Sequence, residues 1–292
     1  MWISKALVVL IVYSIHVSCS VIIPDLAKKL NGKKFVKLLS EAGLIDMLSG
    51  SGPFTIFVPT DDVFKQLPKG VLQRVKKDKD FLRSVMRYHI LSWKLYVKEF
   101  TDEQRIVTLN DNMKMKINFY RDTMTVDGAK VLQSNQVASN GVIHVIDKWL
   151  YQLPVQNALQ YLTSHHEFSK YVNLFFPVEL EYLLKDGPFT IFAPLNEAYD
   201  EIPKVLLVKL LQNKEKLTDA MKYSVIKGTR FKPGFRNGTI ETVEGRAIYV
   251  HVPPSDSGQL MIDDTVVIRS DIPVVNGVIH VVSRVLLPPY IN

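Results

Sequence analysis

The stretch Asn140-Gly141-Val142-Ile143-His144-Val145-Ile146 recurs almost unchanged as Asn276-Gly277-Val278-Ile279-His280-Val281-Val282. A second pair fixes the register. Gly52-Pro53-Phe54-Thr55-Ile56-Phe57-Val58-Pro59 returns as Gly187-Pro188-Phe189-Thr190-Ile191-Phe192-Ala193-Pro194. The offsets are 135 residues for Pro53 to Pro188 and 136 for His144 to His280, so each unit is a whole domain with one net insertion. That period is too long for a solenoid repeat and right for an independent hydrophobic core. The chain therefore divides into residues 21–154 and 155–292, joined through Leu153-Pro154-Val155, a linker short enough to restrict relative orientation.

Each unit changes period halfway along. In the first, Phe35, Leu38, Leu39, Ala42 and Ile45 recur at helical spacing, predicting an amphipathic helical opening over Pro24 to Leu48. Gly50-Ser51-Gly52-Pro53 breaks it, and Phe54 to Val58 reads as a short apolar strand ended by Pro59. Thr60 or Asp61 is the expected cap of a following helix, and Val71–Val75 and Phe81–Tyr88 are two further helical pieces. Beyond them Met113, Met115, Ile117 and Phe119 alternate with Lys114, Lys116, Asn118 and Tyr120, the pattern of a strand with one wet face. Asp127-Gly128 is a two-residue hairpin turn, and Gly141 to Ile146 closes the unit. The second unit repeats this with helices over Val155–Leu184, Pro203–Leu211 and Leu217–Ile226, and strands over Phe189–Ala193, Ala247–Val252 and Gln259–Ile268. Helices segregated from a mostly antiparallel sheet give an α+β class.

Residues 1–20 have the form of a secretory signal peptide: Lys5, an apolar run from Ala6 to Val17, then Ser18-Cys19-Ser20. Cys19 is the only cysteine, so cleavage after Ser20 removes the means for disulfides, thiolate catalysis and zinc–thiolate sites. The expected location is extracellular. Asn237-Gly238-Thr239 is the one glycan acceptor sequence, in a loop that should be exposed. Charge is uneven: residues 21–154 carry 21 Lys and Arg against 14 Asp and Glu, whereas 155–292 carry 14 against 15. Much of the excess clusters around Lys69, Arg74, Lys76, Lys77 and Lys79. Either these residues form solvated helix faces or they form a patch for a polyanion, which outside the cell means a sulfated glycan or anionic matrix.

The two repeated segments resemble the paired signatures of the fasciclin-type (FAS1) domain family, and the resemblance covers roughly residues 22 to 289. It implies two tandem FAS1 domains, each a β-sandwich or wedge with helices packed at one side. It also implies matrix and cell-adhesion roles, often through integrins, without catalysis or cofactor. Two short motifs carry over. The family's Tyr-His pair matches Tyr88-His89, whereas the second unit has Tyr223-Ser224. The Asp-Ile pair of integrin-binding members matches Asp271-Ile272, with Asn135-Gln136 at the equivalent place in the first unit. A carboxylate can complete the coordination of a divalent metal held by a receptor, and an amide is the poorer ligand. Against these readings, Asp271 is equally suited to a loop turn, and an aromatic ending an apolar helix face is ordinarily core.

Catalytic chemistry has no support in the residues. No nucleophile elbow, phosphate loop, dinucleotide fingerprint or Arg-Gly-Asp tripeptide occurs. His144 and His280, inside apolar strands, are expected to be hydrogen-bonded structural residues. The adjacent His165-His166 lacks metal-ligand spacing.

Overall fold

The computed structural model describes residues 21–110, 113–151, 153–254 and 258–291; the expected signal peptide, residues 1–20, lies outside them. The helical opening of the first repeat is three short helices, α1 (Ile23–Lys29), α2 (Lys33–Glu41) and α3 (Ile45–Ser49), because the chain reverses at Asn31, whose φ is +62°, and again after Glu41. The apolar periodicity is real but wraps a compact cluster instead of one rod: Phe35, Leu39 and Leu48 are all fully buried. Strand β1 (Phe54–Pro59) follows, then a 3-10 turn over Asp61–Lys65. Thr60 makes no side-chain cap here, and Asp61 instead accepts from the Lys34 amide at 2.7 Å, tying the turn to α2. Helices α4 (Lys69–Lys77) and α5 (Lys79–Tyr88) meet at Asp78, which caps α5 by accepting from Phe81 N at 2.8 Å.

The strands β2 (Ile90–Leu91), β3 (Arg105–Val107), β4 (Lys114–Tyr120), β5 (Thr123–Val126), β6 (Ala129–Ala138) and β7 (Gly141–Ile146) complete the repeat. Their hydrogen-bonded order is β2-β1-β7-β6-β5-β4-β3, with β1 parallel to β7 and every other neighbouring pair antiparallel. The pairing of β6 with β7 shifts register between Val131 and Gln136, an irregularity of the kind that bends a strand, and residues of β1 and β4 share one core cluster. Strand β1 is buried from Thr55 to Pro59 because both of its faces are covered. Ile56 and Val58 pack with Phe35, Leu39 and Val85 on the helical side, while Phe57 packs with Met115, Ile117, Met124 and Val126 on the sandwich side. Gly141 shows why the repeated segment opens as it does: a Cβ there would lie 2.2 Å from the Phe54 carbonyl oxygen across the parallel pair.

The second repeat follows the same plan. Its helices are α6 (Ala158–Ser164), α7 (Ser169–Asn173), α8 (Tyr182–Lys185), α9 (Lys204–Gln212) and α10 (Lys214–Tyr223). Its strands are β8 (Phe189–Pro194), β9 (Val225–Lys227), β10 (Gly238–Glu241), β11 (Ala247–His251), β12 (Met261–Ile262), β13 (Thr265–Val274) and β14 (Gly277–Val282). The sheet order β10-β11-β12-β13-β14-β8-β9 mirrors that of the first repeat from its opposite edge. Val225 and Ile226 belong to β9, so the helix expected to reach Ile226 ends three residues earlier. Among the described residues no helix is long and apolar enough to cross a membrane.

Candidate functional site

The polar residues that recur in the repeated segments are internal fasteners. Asn140 donates from Nδ2 to the Leu48 and Gly50 carbonyls at 2.7 and 2.8 Å and accepts from Ile23 N at 3.0 Å, so one side chain closes the helical layer onto the sheet. Asn276 bonds Leu184, Asp186 and Ala158 in the same way. His144 donates from Nε2 to the Leu95 carbonyl at 3.0 Å and accepts at Nδ1 from Asn135 N at 3.3 Å. His280 repeats this with Arg230 O at 2.9 Å and Asp271 N at 3.3 Å. Each imidazole stacks on a phenylalanine, Phe57 or Phe192, and burial holds both below the ordinary histidine pKa. The histidines are neutral, hydrogen-bonded structural groups.

Tyr88 and His89 are both fully buried, so neither offers surface to a receptor in this conformation. The Tyr88 hydroxyl donates to Asp127 Oδ2 at 2.7 Å across the β5–β6 turn, and Tyr223 does the same to Asp263 at 3.0 Å. His89 Nδ1 donates to Val85 O at 2.8 Å, Nε2 accepts from Leu150 N at 3.2 Å, and the ring lies 5.2 Å from that of Phe35. In the second repeat Ser224 replaces His89 and Tyr171 replaces Phe35, with the two hydroxyls 2.8 Å apart. The larger aromatic and smaller polar residue fill the same space.

Asp271 lies at the joint between the repeats. Its φ of +62° places it on the irregular stretch of β13, where only 8% of the residue is exposed. Oδ1 accepts from Lys232 N and Oδ2 pairs with Lys148 Nζ of the first repeat, both at 2.5 Å. Ile272, 6% exposed, belongs to the helix-side core of the second repeat. Asn135 has a φ of +57° and accepts from Val97 N at 2.9 Å, the same backbone contact without the interdomain ion pair.

Around that pair lies an interface that the sequence does not signal. The polar face of β4, expected to be wet, is covered: Lys116 is 6% exposed and Asn118 1%. Thr229 is the residue that covers it. Its amide donates to Glu103 Oε1 at 2.6 Å, its hydroxyl donates to Glu103 Oε2 at 3.0 Å, and it accepts from Lys116 Nζ at 2.6 Å. Tyr120 donates its hydroxyl proton to Thr229 O at 3.1 Å and accepts from Phe231 N at 3.0 Å. Phe231, 1% exposed, packs against Gly128, where a Cβ would fall 2.6 Å from the ring. Burial lowers the Lys116 ammonium pKa, and the Glu103 carboxylate at 3.2 Å opposes that shift. Alternation alone cannot distinguish a solvated face from one covered by another domain.

Lys69, Arg74, Lys76, Lys77 and Lys79 are all exposed along α4 and the start of α5. Arg74 pairs with Asp78 at 3.5 Å and lies 3.9 Å above the Phe81 ring. Asn237 is exposed, and its side-chain Oδ1 accepts from Val252 N at 2.6 Å. Among the described residues no group of three or more His, Asp or Glu is placed to hold a metal ion.

The Fasciclin domain model matches residues 31–152 and again 166–288. The chain belongs to the Fasciclin domain family. Relatives of the two Fasciclin domains include periostin of Homo sapiens, 27% identical over 250 residues that cover 84% of this chain and 29% of periostin. Transforming growth factor-beta-induced protein ig-h3 of Sus scrofa is 28% identical over 247 residues, 82% of this chain and 35% of that protein. Stabilin-2 of Mus musculus is 25% identical over 265 residues, 84% and 10% respectively. The chain thus spans about a third or less of these relatives. A solved FAS1 domain pair from the insect cell adhesion molecule fasciclin I is similar at 20% identity and a TM-score of 0.42, covering 90% of this chain and 99% of that one.

Proposed function

We propose that this chain is an extracellular adhesion or matrix module, not an enzyme, that contacts anionic matrix polymers through the basic surface of its first Fasciclin domain. The carrying observation is the exposure of Lys69, Arg74, Lys76, Lys77 and Lys79 on one helical corner, while the sequence-level receptor candidates Tyr88, His89 and Asp271 are buried. Exposed cations of one sign attract a polyanion and are screened by salt. Family membership supports the adhesion or matrix role, and the signal-peptide form of residues 1–20 supports an extracellular location.

A second reading, engagement of an integrin-class receptor by Asp271-Ile272, has one observation in its favour. Lys148, the residue that holds Asp271, keeps 43% of its side chain exposed, so the pair can be opened from its rim. A receptor metal would have to take the carboxylate from Lys148. Cell attachment to surfaces coated with residues 21–292 separates the readings. Attachment that is lost with salt and with Lys76→Gln/Lys77→Gln, yet unchanged by chelator or Asp271→Ala, is the expected outcome. Attachment that needs divalent cations and disappears with Asp271→Ala would replace the first reading with the second.

A further inference from the structure

The interface leaves a cleft of about 520 Å³ between the two domains, within the roughly 300–1,000 Å³ typical of small-ligand sites. Four cationic side chains line it: Lys130 and Lys148 from the first domain, Lys232 and Arg236 from the second. Asp147 is the one carboxylate among its lining residues, and its Oδ1 is occupied, accepting from Lys130 N at 2.7 Å. Lys148 is shared with Asp271, and the Arg236 guanidinium is steadied by the Pro233 and Phe235 carbonyls at 2.8 and 2.7 Å and by Asp122 at 3.3 Å. Lys232 makes no ion pair among the described residues, its amide alone being engaged by Asp271.

The rest of the lining narrows the class of ligand. Pro233, Val252 and Pro253 give an apolar wall, and Gln66 and Ser270 supply neutral hydrogen-bonding groups. Phe235 is fully buried, so the wall offers no exposed aromatic ring on which a nucleobase could stack. Cations at the rim, amide and hydroxyl groups between them and an apolar wall suit a sugar ring bearing sulfate groups. The C–H face of such a ring packs on the part-exposed Val252 and Pro253 while its anionic oxygens meet Lys and Arg. A second cleft of about 320 Å³ adjoins through Gln66, Asp147, Lys148 and Ser270, and it contains Asp127 and Asp271, whose carboxylates bound the anion site on that side. Gln66, which also lines the first cleft, stands three residues before Lys69, so the basic helix α4 starts beside that cleft.

We propose that this interdomain cleft binds a sulfated saccharide, with Lys130, Lys148, Lys232 and Arg236 as its anion-binding residues and α4 as the surface along which a longer chain continues. The proposal rests on the polyanion reading above and adds to it a defined site built by both domains. Ligand held from both sides of the joint also stabilises the joint, because it binds the docked arrangement and not the separated one.

The test uses residues 21–292 and a sulfated tetrasaccharide of the heparin type, titrated by calorimetry beside its desulfated counterpart. Lys130→Gln/Lys232→Gln removes two charge-assisted contacts while leaving the Lys148–Asp271 pair intact, and is expected to weaken binding about tenfold. Lys76→Gln/Lys77→Gln is expected to change tetrasaccharide affinity by less than about twofold, because those residues lie beyond the cleft. Unchanged thermal unfolding of both variants without ligand establishes that they fold. Loss of binding in the α4 variant alone overturns the cleft and leaves the polyanion reading standing. No binding by the wild-type chain, and no retention of it by a long sulfated polymer, overturns both. Equal binding of the desulfated sugar overturns the assignment of the cations as anion-binding residues.

Discussion

Phe35 and His89 in the first domain occupy the space that Tyr171 and Ser224 occupy in the second, and the exchange explains why a Tyr-His pair is followed by a Tyr-Ser pair. His89 carries its proton on Nδ1, facing the Val85 carbonyl, and accepts at Nε2, so it must stay neutral; burial pushes its pKa down to about 4. The unfolded chain takes up that proton near pH 6.5 and the folded chain only near pH 4. Stability contributed by His89 is therefore present above about pH 6.5 and lost as pH falls toward 4, by about 3 kcal/mol at most. Asp127, raised to about 6 by burial, acts in the opposite sense, gaining for the fold as pH falls below 6. Comparing variants that both retain Asp127 cancels its contribution. Phe35→Tyr or His89→Ser alone should each cost about 1–3 kcal/mol at pH 7, by overpacking or by a cavity and lost bonds. The double variant should cost less than their sum and lose less stability between pH 6.5 and 4.5 than wild type. Denaturant unfolding at both pH values reads all of these quantities, and strict additivity would refute the exchange. A core place for Tyr88 is legible from its position at the end of an apolar helix face, whereas the bonds of His89 are not, because a buried and an exposed histidine look alike in one sequence.

At the scale of elements, most strands were legible because β-branched runs bounded by Gly and Pro leave few alternatives. The exceptions have identifiable causes. The opening over Pro24 to Leu48 is legible as helical, but its division into α1, α2 and α3 is not, because periodicity reports which face is buried and not where the axis turns. Strand β4 was read as half wet because Lys116 and Asn118 are polar, yet Thr229 gives them partners from another domain. The turn after β5 was read correctly, and it makes a sharp prediction. Asp127 and Gly128 have φ values of +44° and +78°, the left-handed pair that a two-residue hairpin requires. Gly128→Ala adds a Cβ in that conformation and against the Phe231 ring, so a loss of about 1–3 kcal/mol is expected. Gly70→Ala lies within α4, where a Cβ meets nothing within 4 Å, and should gain up to about 1 kcal/mol. Opposite signs for the same chemical change are the expected result of thermal or denaturant unfolding.

For the whole molecule, the repeat and its α+β class followed from two recurring heptads and octads, whereas the docking of the domains did not, since an ion pair between residues 123 positions apart leaves no local pattern. Asp271→Asn copies the first domain's Asn135: it keeps an acceptor for the Lys232 amide and discards the charge that holds Lys148. Because Lys148 is part-exposed, the cost should be about 1–2 kcal/mol, less than for a fully buried pair. It should appear as domains that unfold in two separated transitions where wild type shows one. The joint also carries a consequence for assembly. It is heterologous, one domain's loop seated on the other domain's hairpin, and such a contact, if repeated from copy to copy, builds an open-ended fibre. The repeats are not interchangeable at the residues that matter. By the pairing of Tyr88 with Asp127 and Tyr223 with Asp263, the hairpin position of Gly128 is taken in the second domain by exposed Asp264. The counterpart of Lys148 is Arg284, which is engaged by Glu201 and Asp264. Among the described residues there is thus one plug and one socket, each already filled by the other, and a carboxylate guards the place where a second plug would have to enter.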